Sequence, residues 1–284
     1  MELQFLFGTV GSPVSTPKKP GGSVGAIDQI RSLGLDVLEL GWVQSVRVNE
    51  STCRAIKEAA EKNQVKVSVH APYFINLNAG QEEWPKSRKR LMDAAFYGNL
   101  AGATDIVFHP GSLFSKTPEE VLPTALKRLS ACTLELKEMG NPVILRPETM
   151  GKIAMLGSLS DTLVMSREID GVLPCLDFSH LHARAGNGSI NTKQEFLNIL
   201  ITYRDNLGSE SLQHLHIHLS GIEYGTKGEK NHLPLKESDL NLVDLFDALR
   251  ELKCSGRILC ESPILEEDAI YMRDLWKSTT KLIS

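Results

Sequence analysis

Short apolar runs recur along the chain at nearly even intervals: LQFLFGT (3–9), LDVLELG (35–41), VKVSVHA (65–71), TDIVFHP (104–110), NPVILRPE (141–148), GVLPCLD (171–177), LQHLHIHL (212–219) and GRILCE (256–261). All are short and rich in Val, Ile and Leu. Most are continuous rather than alternating, as expected of strands buried on both faces. Between them, IDQIRSLG, STCRAIKEAAEKN, SRKRLMDAAFYGNLAG, PEEVLPTALKRLSACTLELKEMG and SDLNLVDLFDALREL repeat apolar residues at the i, i+3, i+4 spacing of helices. Ser51 and Thr117-Pro118 supply helix starts, and Gly34, Gly102 and Gly140 supply stops. Eight strands separated by helical segments give about 35 residues per unit, the arithmetic of a single (β/α)₈ TIM barrel spanning 1–284. An open doubly wound sheet would call for a glycine fingerprint after the first strand, and FGTVGSPVS is not one. No linker or low-complexity tract divides the chain, and SPVSTPKKPGGS (12–23) reads as the first βα loop.

Composition narrows the class without naming a function. With 42% apolar and 23% charged residues, the 284-residue chain can bury a large core. No apolar stretch is long enough for a membrane span, and MELQFLFGTVGSP is too short and too acidic for a signal peptide. Cys53, Cys132, Cys175, Cys254 and Cys260 are odd in number and scattered, which fits a reduced, cytoplasmic chain. A net charge of −4 argues against a nucleic-acid partner unless some carboxylates hold metal, because three dications would reverse its sign.

The ends of the strands change the picture. In this architecture the chemistry gathers at the C-terminal ends. There stand His70, His109, Glu148, Asp177 with His180 just beyond, His218 and Glu261. Roughly 40 positions count as strand ends, so eight scattered histidines would place about one there, against the four found. One such residue is ordinarily a hydrogen-bonded core or rim side chain. Carboxylates and imidazoles from six strands meeting at one barrel mouth are better explained by coordination, because burying them unpaired is costly. Imidazole with carboxylate suits Zn²⁺ or Mn²⁺. Cys260, beside Glu261, points by alternation toward the helices. His214 and His216 share a face with His218 and are expected to line the barrel interior below it as supporting residues. His182 is open: it orients a ligand, replaces His180, or is exposed.

HAPYFINL (70–77), VFHPGS (107–112), ETMGK (148–152), LDFSH (176–180), HIHLSG (216–221) and CESP (260–263) together resemble endonuclease IV, the zinc-dependent apurinic/apyrimidinic endonuclease of the xylose isomerase-like barrel superfamily. The resemblance covers about 200 residues, from the third strand to the eighth. It implies two or three zinc ions, with Mn²⁺ as the alternative. His70, His109 and Glu148 would hold the first; Glu148, Asp177, His218 and Glu261 the second; His180 and His232 the third. In the family the third ion also takes an aspartate two residues before the last histidine. Here that position is Lys230, whose charge would repel the ion; either Glu229 takes the role, as favoured by the polar segment and Gly228, or the third site is weak and often empty. Glu148, as the bridge, and Glu261 would be catalytic. The implied reaction is hydrolysis of the phosphodiester 5′ to an abasic site in damaged double-stranded DNA, with no membrane and no obligate protein partner. Paired ions suit that chemistry, since they activate water and bind both non-bridging phosphate oxygens. A sugar without a stacked base is also easily extruded.

DNA contacts are expected from Tyr73, Asn76, Lys152 and Arg184, with Lys18, Lys19, Trp42, Arg47 and Lys227 as further surface positions. A solvated face is the plain reading of each lysine, and rim packing that of Trp42. Two rival functions remain. A single-metal sugar isomerase or epimerase would use Glu148, Asp177, His218 and Glu261 but has no need for His70, His109, His180 and His232. A non-catalytic metal-stabilised DNA-binding or scaffold protein would be expected to place its stabilising ligands at the opposite face.

Overall fold

The structure, a computed structural model, describes residues 5–280. Eight parallel strands form a nearly closed barrel: β1 (Phe5–Val10), β2 (Val37–Gly41), β3 (Lys66–His70), β4 (Ala103–Phe108), β5 (Ile144–Pro147), β6 (Cys175–Asp177), β7 (Leu215–Leu219) and β10 (Gly256–Cys260). Between β7 and β10 stands an antiparallel hairpin, β8 (Gly221–Gly225) and β9 (Gly228–Leu233). Among the described residues the helices are α1 (Gly22–Ser32), α2 (Glu50–Asn63), α3 (Trp84–Leu100), α4 (Pro118–Glu138), α5 (Leu159–Glu168), α6 (Phe178–Ala185), α7 (Lys193–Leu207), α8 (Leu242–Glu251) and α9 (Glu266–Thr280). No helix among the described residues is long and apolar enough to cross a membrane.

All eight strands fall inside the apolar runs or within a residue or two of them. Two local expectations are corrected. Helix α2 begins before Ser51: Asn49 is the cap, its side-chain oxygen accepting from the Thr52 amide at 2.9 Å. Strand β6 is only three residues long although its run spans seven. Pro174 lies inside that run and has no N–H to donate, so the ladder to β5 is interrupted. Isolated bridges at Leu145–Val172 and Glu148–Cys175 complete the barrel on either side of it.

That seam is reinforced from within. Arg146 on β5 donates to Asp105 on β4 at 2.6 Å, and to the Pro174 and His214 carbonyls at 3.1 Å each. Arg257 on β10 also reaches Asp105, at 3.1 Å. Burial pushes the Asp105 carboxyl up, but Arg146 and then Arg257 override it and hold the group well below the usual carboxylate range.

Asp105→Asn should therefore leave two largely buried guanidiniums without a counter-charge and cost about 3–5 kcal/mol in denaturant unfolding. Because the folded pKa is depressed, this stabilisation is full above the unfolded carboxyl value of about 3.9 and fades as pH falls below it. The gap between wild type and variant should narrow on acidification. A gap that is small at pH 7, or that does not change with pH, contradicts this role.

Candidate metal centre

The local sequence explains how the donors meet. His70 is the last residue of β3; His109, Glu148 and Glu261 directly follow β4, β5 and β10; His218 lies in β7. Asp177 ends β6 and caps α6, accepting from the His180 amide at 2.7 Å, so one side chain places both itself and His180 at the mouth. The hairpin supplies the remaining donors, Glu229 and His232.

Four groups have donor atoms within 4.8 Å of one another, three of them at the mouth: His70, His109 and Glu148; Glu148, Asp177, His180 and Glu261; and His180, Glu229 and His232; the fourth is Cys175, His216 and His218. Glu148 joins the first two. Its Oε2 lies 3.3 Å from His70 Nε2 and 3.2 Å from His109 Nε2. Its Oε1 lies 3.2 Å from His180 Nδ1 and 3.6 Å from His218 Nδ1. His218 Nδ1 is also 3.3 Å from Glu261 Oε1.

The orientation of the rings tests whether metal fits. The Nδ1 atoms of His70, His180 and His232 face the carbonyls of Ala71, Thr149 and Glu261 at 2.9, 3.0 and 3.1 Å. Those acceptors favour N–H on Nδ1 and turn the Nε2 lone pair inward, as outer contacts do for metal-binding imidazoles. His180 Nε2 and His232 Nε2 face each other at 3.2 Å, close enough to share a proton or to flank a cation. Glu148 Oε1, Asp177 Oδ2 and His218 Nδ1 are buried without a hydrogen-bond partner. This nitrogen and oxygen donor set fits Zn²⁺ or Mn²⁺.

The electrostatics agree. Burial would raise Glu148, yet His109, with His180 and His218, holds its carboxyl well below the usual range. Glu261 is held at about 2 against its burial, chiefly by His218. Burial, with Glu148 and Glu261, pushes Asp177 up to about 6 despite His180. Burial opposes protonation of His180, but Asp177, Glu148 and Glu229 keep it well above the ordinary imidazole value; for His218, Cys175, Glu39 and Glu261 likewise outweigh burial. The centre thus demands positive charge, which protons or metal ions can supply.

Glu229, not Lys230, lies with His180 and His232. In the hairpin Glu223 pairs with Asn231 and Tyr224 with Glu229, so Lys230 is an extra, bulged residue. The bulge shifts the alternation and brings Glu229 beside His232. Lys230 instead turns outward to Glu223, with Nζ 2.9 Å from Oε1. The tip of this hairpin docks on the chain after β5, where Gly228 bridges to Lys152 and the Glu229 amide donates to the Gly151 carbonyl at 3.0 Å. Gly228 there has φ 93°, and a Cβ would meet the Gly151 carbonyl at 2.1 Å, so glycine is required.

The pocket at the mouth, about 380 Å³, is lined by Tyr73, Lys152, Met150 and Met155 along with metal-type donors. Tyr73 is 46% exposed and stacks on His109 at 5.0 Å between ring centres. Asn76 lies outside this lining; its side-chain oxygen accepts from the Asn78 amide at 2.8 Å. The Arg184 guanidinium is taken up by the carbonyls of Met150, Lys152 and Met155, at 2.7–3.1 Å, and so braces the loop that carries Lys152. Trp42 is buried in the core, whereas Lys18, Lys19, Arg47 and Lys227 are exposed.

Several polar residues differ from the reading of the sequence. His214 is not inside the barrel: it precedes β7 and is exposed. His182 is buried but faces the Ser189 carbonyl and Asp239, at 2.7 and 3.0 Å, and so anchors α6 away from the donors. Cys175 lies beside His216 and His218 under the centre, and burial drives its thiol far above the usual value. Glu39 on β2, the lone acid inside a run of Val, Leu and Gly, was not singled out and proves fully buried against His216 and His218.

A family model described as a xylose isomerase-like TIM barrel matches residues 27–278. An uncharacterised protein of Methanocaldococcus jannaschii is 39% identical over 272 residues, covering 95% of this chain and 96% of its own length. Endonuclease 4 of Thermus thermophilus is 29% identical over 171 residues, 57% of this chain and 60% of that enzyme. Among solved structures, endonuclease IV of Thermus thermophilus superposes with a TM-score of 0.69 at 22% identity, over 97% of this chain and 99% of that one. A D-tagatose 3-epimerase-like protein superposes with a TM-score of 0.70 at 18% identity, over 92% of this chain and 96% of that one. At such identities the superpositions speak to the fold. Through the match across most of its length, the chain belongs to the xylose isomerase-like TIM barrel family, within which it has endonuclease 4 homologues at modest identity.

Proposed function

We propose that this chain is a cytoplasmic, zinc-dependent phosphodiester hydrolase of the endonuclease IV type, which cuts damaged DNA 5′ to abasic sites in base excision repair. The observation that carries this reading is the number of donor groups at one mouth. Three sets share Glu148 and His180 and reach a single pocket. A one-metal epimerase accounts for Glu148, Asp177, His218 and Glu261, and leaves His70, His109 and the hairpin pair Glu229 and His232 without a task.

His70, His109 and Glu148 would hold one ion, Glu148, Asp177, His218 and Glu261 a second, and His180, Glu229 and His232 a third. Bound there, such ions supply Lewis-acid stabilisation of phosphoryl oxygens and activation of water. The protein's own part is placement. Glu148 directs one oxygen toward each of two donor sets. Tyr73 offers an exposed ring at the pocket entrance, where a sugar or base lifted from the stack can pack. Lys152 is an exposed cation on the pocket wall, and Arg184 holds its loop in place. This arrangement favours phosphate over a neutral sugar and also answers the acidic net charge.

Metal analysis alongside two assays separates the readings: incision of a duplex oligonucleotide bearing one abasic-site analogue, and epimerisation of ketohexoses. Two or three zinc ions with incision support the proposal. A single ion with sugar turnover supports the epimerase. Glu148→Gln should lower incision at least about 100-fold, near 2.7 kcal/mol of transition-state stabilisation, because a neutral amide bridges two cations poorly. Wild-type incision with full metal content in that variant rejects the shared-bridge mechanism. Glu229→Ala should reduce zinc from about three to about two per chain and weaken incision without abolishing it. Unchanged zinc and incision would mean that Glu229 is not a ligand.

A further inference from the structure

Beneath the candidate centre the barrel interior is polar where close-packed aliphatic layers are usual. Glu39 on β2 is fully buried there, beside its ladder partner Ser68 on β3 and in contact with His216 on β7. Its Oε2 accepts from the Ser68 hydroxyl at 2.6 Å and faces His216 Nε2 at 2.9 Å. Its Oε1 has no partner in good hydrogen-bond geometry, and His218 Nε2 lies 3.0 Å from it, off the ideal line. The other nitrogen of that ring, Nδ1, points up at Glu261 and Glu148.

We propose that Glu39 is a positioning residue for the metal centre, holding the Nε2 edge of His218 so that its Nδ1 is presented to the ion shared with Glu148, Asp177 and Glu261, while Ser68 and His216 fix the carboxylate. The inference rests on the metal-dependent reading of the same site. Three features carry it. A carboxylate taken fully out of water costs several kcal/mol, so its place needs a return beyond packing. Its two oxygens are divided: one is anchored by Ser68 and His216, and the other is left for His218. Finally, His218 differs from His70, His180 and His232. Those three turn Nδ1 to a backbone carbonyl, although His180 Nδ1 also lies 3.2 Å from Glu148 Oε1. His218 is reversed, presenting Nδ1, and its Nε2 faces no carbonyl but Glu39. Carboxylates placed behind ligating imidazoles fix tautomer and ring orientation and raise basicity.

The test has two independent readouts. In protein labelled with ¹⁵N-histidine, two-bond ¹⁵N–¹H correlations report which nitrogen of His218 carries the proton, with the signal assigned by its loss in His218→Gln. Measured on the otherwise unmodified, zinc-loaded chain, His218 should carry it on Nε2. In Glu39→Gln, zinc titration against a chromophoric chelator should show one class of ion bound about 10–100-fold more weakly, with another class unchanged. The melting temperature of the metal-free variant, measured in parallel, separates this from a loss of fold. A proton on Nδ1 in the unmodified chain, or Glu39→Gln with zinc affinities unaltered, overturns the proposal, and the first of these holds even if the variant does not fold. An unmodified chain that binds no zinc overturns the metal reading itself, and the role of Glu39 with it.

Discussion

Glu148 is the constraint around which the mouth of the barrel is arranged. It is fully buried, and an isolated carboxylate there would be neutral. Instead both its oxygens lie within 3.6 Å of imidazoles, those of His70, His109, His180 and His218. Those rings come from the ends of β3 and β4, from β7 and from the helix after β6, so the carboxylate's charge is satisfied only when these strands are assembled in register around β5. Fold and site are therefore one requirement. The Pro174 interruption falls beside this point, and the Glu148–Cys175 bridge restores pairing there.

The charge does not stop at the mouth. Below Glu148 lies the Glu39–His216 pair, and Arg146 and Arg257 hold Asp105 in the same interior. Such a polar column is a poor source of stability in itself, since buried ion pairs seldom exceed their desolvation cost. What it provides is direction: each group has few low-energy arrangements, so the rings above are presented in fixed orientations. The hairpin β8–β9 completes the site from outside the barrel, and the bulge at Lys230 decides which of its side chains faces in.

The sequence carried the barrel plainly because its strands are buried on both faces and read as bare apolar runs. It also carried the strand-end donors, since His70, His109, Glu148, Asp177 and Glu261 interrupt or end those runs with residues an apolar interior would not choose. Other features depend on three dimensions. Lys230 occupied the expected acidic position, and only the extra residue in β9 shows why Glu229 stands beside His232. His214 obeys the alternation of His216 and His218 but lies before the strand begins, so the periodicity no longer governs it. Arg184 looked like a phosphate contact, and its guanidinium proved to be bound to carbonyls of its own chain. Glu39 had a signal, the one acid within the strand VLELG, which is weak until the strand's inward face is known.

The central claim is that the donors gathered around Glu148 bind a cluster of divalent ions rather than a single one. Anomalous diffraction at the zinc edge, on crystals of the purified chain, tests this most directly. At least two peaks should flank Glu148, one within about 2.0–2.2 Å of His70 and His109 and another at the same distance from Asp177, His218 and Glu261. A single peak confined to Glu148, Asp177, His218 and Glu261, or no peak at all, would contradict it.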